Sequence, residues 1–66
     1  MWFLLLAFLA QAPDFEAEGL KALDAQKYDE AVTLLSKAVA ADPKDYSAHF
    51  NLGLAYSLLN RDIDAI

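Results

Sequence analysis

Hydrophobic and polar positions divide the chain into a lead run and a periodic body. Trp2 to Ala10 is uninterrupted apolar sequence. From Asp14 onward, apolar residues recur at three- and four-residue spacing, as they do along one side of an α-helix. Phe15, Gly19, Ala22 and Leu23 form such a stripe, widened by Leu20, and Gln26-Lys27 interrupts it with a short turn. A second helix is predicted from about Asp29-Glu30, with Ala31, Val32, Leu34, Leu35, Ala38 and Val39 on its apolar side and Lys37 facing out. It must stop near Ala41, because Pro43 sterically disfavours helical backbone at Asp42. Asp42-Pro43-Lys44-Asp45 reads as a turn whose last aspartate can cap a third helix. That helix is predicted from Tyr46 to about Leu59, with Leu52, Gly53, Tyr56 and Leu59 inward. Asn60-Arg61 then marks a turn, since asparagine tolerates the left-handed backbone that ends many helices. A fourth helix is expected to begin near Ile63. The predicted class is all-α, with antiparallel helices joined by short turns.

The body is also internally periodic, at an offset of 34 residues. Gly19 aligns with Gly53, Leu20 with Leu54, and Ala31 with Ala65. Near-matches fall between them: Gln26 with Asn60, Lys27 with Arg61, Glu30 with Asp64, Val32 with Ile66. The identities include the small residues that let helices approach closely.

This period and pattern resemble the tetratricopeptide (TPR) repeat, a helix-turn-helix unit of 34 residues. Ala38, Tyr28-Asp29-Glu30-Ala31-Val32, Asp42-Pro43 and Asn51-Leu52-Gly53-Leu54-Ala55-Tyr56 also match its pattern in order. Departures occur: His49 stands where Phe15 stands in the first copy, Glu18 replaces the leucine matched by Leu52, Ala22 the aromatic matched by Tyr56, and Asp62 the aromatic matched by Tyr28. The resemblance implies a right-handed α-solenoid, with a first repeat over 13–45 and an incomplete second over 46–66. It also implies a concave surface formed by the first helix of each repeat, which binds extended peptides or partner helices. Carried over by position, that surface comprises Glu16, Leu20, Leu23 and Asp24, then Phe50, Asn51, Leu54, Ser57 and Leu58. Phe50, Leu54 and Leu58 read equally as ligand-facing or as covered by a further repeat. Family members that grip a C-terminal carboxylate use lysine and asparagine here. Glu16 and Leu20 replace them, and only Asn51 agrees.

The lead run, residues 1–12, is too short to span a bilayer, which takes about twenty residues. It fits the apolar part of a secretory signal, with Ala10 and Ala12 as small residues before a cut. The expectation is export to a periplasm or outside the cell. The absence of Lys or Arg before the run, and Pro13 directly after the cut, leave an uncleaved membrane anchor and a helix packed on the first repeat as alternatives.

Charge narrows the partners. Ten acidic residues against five basic ones give a net charge of −5. That balance disfavours phosphate backbones, so nucleic acid is not expected. No cofactor, metal or catalytic residue is expected. A lone histidine cannot supply a metal cluster or a histidine-based triad, and His49 is expected to fill a packing slot. Ser36, Ser47 and Ser57 have no recognisable activating neighbours, and Asp29-Glu30 is explained by a helix dipole. The reading is a protein-protein interaction scaffold or adaptor. The alternative is the helical-repeat part of a larger enzyme or envelope assembly whose active domain lies beyond residue 66. Membrane contact is expected only through an uncleaved lead run, and self-association only through an exposed repeat end.

Overall fold

The computed structural model describes residues 14–64, with side-chain surroundings through Arg61. The expectations for the export run, Pro13, Ala65 and Ile66 lie outside the described residues. Three helices follow one another: α1 (Phe15–Asp24), α2 (Tyr28–Ala41) and α3 (Tyr46–Asp64). The middle helix packs along both others, whereas α1 and α3 meet over a short stretch. The described residues are thus an all-α helical repeat.

Local chemistry accounts for the boundaries. Asp14 is the N-cap of α1, its carboxylate accepting the Ala17 N–H at 3.1 Å, and Glu16 and Glu18 place negative charge in the first turn. The helix ends in a left-handed residue, Gln26 at φ 62°. Gln26 N–H donates to the Leu23 carbonyl and Lys27 N–H to the Ala22 carbonyl, the paired closing bonds of a Schellman turn. A side chain in this conformation costs roughly 1–2 kcal/mol relative to right-handed backbone. Packing of α2 against α1 therefore holds this turn shut. Between α2 and α3, Asp45 N–H donates to the Asp42 carbonyl at 3.1 Å, closing a β-turn with proline in its second position. The Asp45 carboxylate then accepts the Ala48 N–H at 3.2 Å, capping α3 as expected.

The interior is built largely of small residues. Ala31, Leu35, Ala48 and Ala55 are fully buried, Ala22 and Ala38 nearly so, and Leu35 is the one large side chain among the fully buried described residues. Leu23, Val32, Leu34 and Leu52 pack around this centre. A β-carbon added at Gly19 would lie 2.6 Å from Leu35 Cγ and 2.8 Å from its Cδ2. Glycine is therefore required here for α1 and α2 to cross at this distance.

The second copy departs from expectation in three ways. First, α3 continues to Asp64 with no turn at Asn60-Arg61. Asparagine permits a turn there, but only a helix packing back on α3 would stabilise it over continued helical hydrogen bonding. Second, Gly53 is exposed, with nothing within 4 Å of an added β-carbon, and Tyr56 is 50% exposed. The inward stripe of α3 is instead Ala48, Leu52, Ala55 and Leu59, spaced by four, three and four residues, which turns Gly53 and Tyr56 away from α2. Third, His49 fills no aromatic slot. It is exposed, with Nε2 2.8 Å from the Pro43 carbonyl oxygen, so the ring tethers the turn to α3.

The two glycines should respond oppositely to the same change. In chemical denaturation of this chain, Gly19→Ala is expected to lower stability by about 1–3 kcal/mol through overpacking against Leu35. Gly53→Ala is expected to raise it by up to about 1 kcal/mol, since alanine is the better helix former and meets no neighbour. A loss at Gly53 as large as that at Gly19 would show that both positions hold a close crossing.

Candidate peptide-binding surface

Both α1 and α3 begin at the same end of the molecule, because α2 runs antiparallel between them. Their capping aspartates therefore come together. Asp14, Asp42, Asp45 and Glu16 line one open cleft of about 230 Å³, floored by Phe15, Ala38 and Ala41. Three of these carboxylates have local work. Asp14 and Asp45 cap helices, and Asp42 accepts the Lys44 N–H at 3.3 Å. Glu16 differs: its Oε2 is shielded from water and has no hydrogen-bond partner. Its carboxyl is pushed above the ordinary value of 4.5, first by lost solvation, then by Asp45 and Asp14, with the Ser47 hydroxyl pulling the other way.

Beyond that acidic end, exposed apolar residues stand on both α1 and α3. Leu20 is one helical turn beyond Glu16 and 41% exposed. On α3, Phe50 is 73% exposed and Leu54 42%. Asp24 and Ser57 are exposed, and Asn51 and Leu58 half-buried. Leu23 instead packs against the core cluster, so it supports the surface from beneath. Tyr46, 83% exposed at the start of α3, and the three aspartates were not among the surface residues expected from sequence. Of the aspartates, Asp45 was readable as a helix cap and Asp42 as part of a turn. Their convergence follows from antiparallel packing, which no local spacing encodes.

Other surfaces offer less chemistry. A second cleft, between α1 and α2, has two lysines and two glutamates in its lining with Ala22, Ala25 and Leu34. Lys37 Nζ lies 5.5 Å from the centre of the Phe15 ring, a surface cation–π contact that braces α1 on α2. Among the described residues, no group of His, Asp or Glu is arranged to hold a metal ion. No helix among them is long and apolar enough to cross a membrane.

The small-residue crossing, the turn chemistry and the helix order find their counterpart in known proteins. A family model described as TPR repeat matches residues 19–60. The chain belongs to the tetratricopeptide repeat family. It is also 43% identical over 56 residues to the rhomboid protease GluP of Bacillus subtilis (strain 168). That match covers 77% of this chain but 11% of the relative, so the chain spans a small part of that protein's length. No solved structure matches the chain.

The crowding at Glu16 predicts a pH-dependent effect. Because its pKa is raised on folding, Glu16 favours the folded state fully when protonated, below 4.5, and loses that contribution as pH rises through the folded value. Glu16→Gln is therefore expected to raise the melting temperature at neutral pH, with the gain fading well below pH 4.5. The same gain in acid, or a loss at neutral pH from the weaker helix-dipole interaction, would show that carboxylate crowding is not the governing effect.

Proposed function

We propose that this chain is a protein- or peptide-binding module, a scaffold or adaptor with no catalysis of its own. TPR repeats generally mediate protein-protein interactions, and the observation that carries the reading here is the exposed stripe of Leu20, Phe50 and Leu54. Isolated apolar residues on a surface are ordinary, whereas apolar residues aligned across two helices suit a partner. A single histidine and no cysteine also leave few groups for covalent or metal chemistry within these 66 residues.

Site-specific photocrosslinking in the cells that make the protein tests this. A photoreactive amino acid in place of Phe50 is expected to yield discrete protein adducts. The same residue in place of Ala40, exposed on α2 opposite its buried stripe, is expected to yield none. Equal yields at both positions, or none at Phe50, would count against a binding surface on α1 and α3.

A second reading is favoured by the match to a stretch of the rhomboid protease GluP: the module is the repeat part of a larger enzyme. Its binding surface would then recruit substrates or partners for a catalytic domain elsewhere in the chain. Reading the transcript beyond the codon for Ile66 separates the two.

The reading further places the module outside the cytoplasm, on the strength of the apolar run ending in Ala10-Gln11-Ala12. Residues Met1 to Glu18 fused ahead of a reporter active only outside the cytoplasm should direct its export. Mass spectrometry of the product should find cleavage after Ala12. An active but uncleaved product would make the run an anchor, and an inactive cytoplasmic one would end the export reading.

A further inference from the structure

We propose that the stripe on α1 and α3 selects a basic, apolar peptide segment, one whose large apolar side chains cover Leu20, Phe50 and Leu54 and whose lysine or arginine enters the acidic cleft at Glu16 and Asp45. The proposal rests on the binding-module reading and adds the chemistry of the partner. Three observations carry it. The exposed apolar residues follow the cleft along both helices: Leu20 stands one turn from Glu16 on α1, and Phe50 lies in the second turn after the Asp45 cap on α3. The cleft has four carboxylates and no basic side chain in its lining. Glu16 stands crowded beside Asp14 and Asp45, so an ammonium or guanidinium entering the cleft would offset like-charge repulsion there.

The remaining charges set the orientation. Asp24 is exposed at the far end of α1, and Arg61, also exposed, lies about two turns past Leu54 on α3. The far end is therefore of mixed sign, whereas the lining of the cleft is acidic, with Lys37 over Phe15 and Lys44 in the turn between Asp42 and Asp45 as the nearby positive charges. A segment with its positive charge at one end and apolar residues toward the other matches this polarity. An acidic segment, or a free C-terminal carboxylate placed at the cleft, would add a fifth negative group to the four already there.

Selection from a random dodecapeptide library displayed on phage, against the full 66-residue chain, tests the proposal. Enriched peptides are expected to be net positive with at least two large apolar residues. They should lose about tenfold or more in affinity to Phe50→Ser and about three- to tenfold to Glu16→Gln or Asp45→Asn, and should weaken from low to high salt. Asparagine retains capping ability at position 45, and circular dichroism of each variant confirms that the helices persist. Enriched peptides that depend on Phe50 but are neutral or acidic, or are indifferent to Glu16→Gln and Asp45→Asn, would overturn the basic-partner inference and leave the binding surface standing. Peptides indifferent to Phe50→Ser would overturn both.

Discussion

The arrangement depends on the contact between Gly19 and Leu35. Leu35 is fully buried, and its side chain occupies the space a β-carbon at Gly19 would fill. This notch sets how closely α1 approaches α2. That distance in turn brings the Gln26 turn to closure and puts α1 beside α3, where Glu16 comes near Asp45 and Ser47. A wider crossing would move the acidic end and the apolar stripe apart. The alanines at 31, 48 and 55 have the same effect on a smaller scale: each lets backbone approach backbone, and each contributes little apolar area by itself.

Features encoded by local chemistry were legible in the sequence. Pro43 stopped α2 where expected, Asp45 capped α3, and Gly19 marked the crossing. The features that were misread depend on what lies opposite. Gly53 has the same family position as Gly19, but among the described residues no helix packs over it. Without such a partner, Asn60-Arg61 remains helical and Tyr56 stays half-exposed. His49 was assigned a packing slot by analogy with Phe15, yet its ring nitrogen found a backbone carbonyl within reach. Leu23, assigned to the surface by its position in the repeat, is half-buried and also packs against the core cluster. The convergence of four carboxylates was the least legible feature, since each is explained locally and only the antiparallel path gathers them.

The acidic cleft shows two demands in conflict. Capping favours an aspartate at the start of each helix, and the dipole favours acid in the first turn. When two such helices start side by side, the same choices place like charges together, and Glu16 bears the cost because its partly desolvated carboxyl faces Asp45 and Asp14. Asparagine or serine would cap comparably without the charge. Four carboxylates at this end therefore suit a surface that meets positive charge.

The distribution of large side chains points the same way. In a typical small domain, aromatic residues supply much of the core. Here the fully buried described residues are alanines and one leucine, while Phe50 and Tyr46 lie largely in solvent and Tyr56 is half-exposed. A core of this kind leaves a narrow margin of stability, because small side chains release little water on folding. Any partner that covers the exposed residues and binds only the folded state adds its binding free energy to that margin. At a hundredfold excess over its dissociation constant, such a partner contributes about 2.7 kcal/mol. Folding and recognition are then coupled through the same side chains, so the surface that identifies the partner also strengthens the fold that displays it.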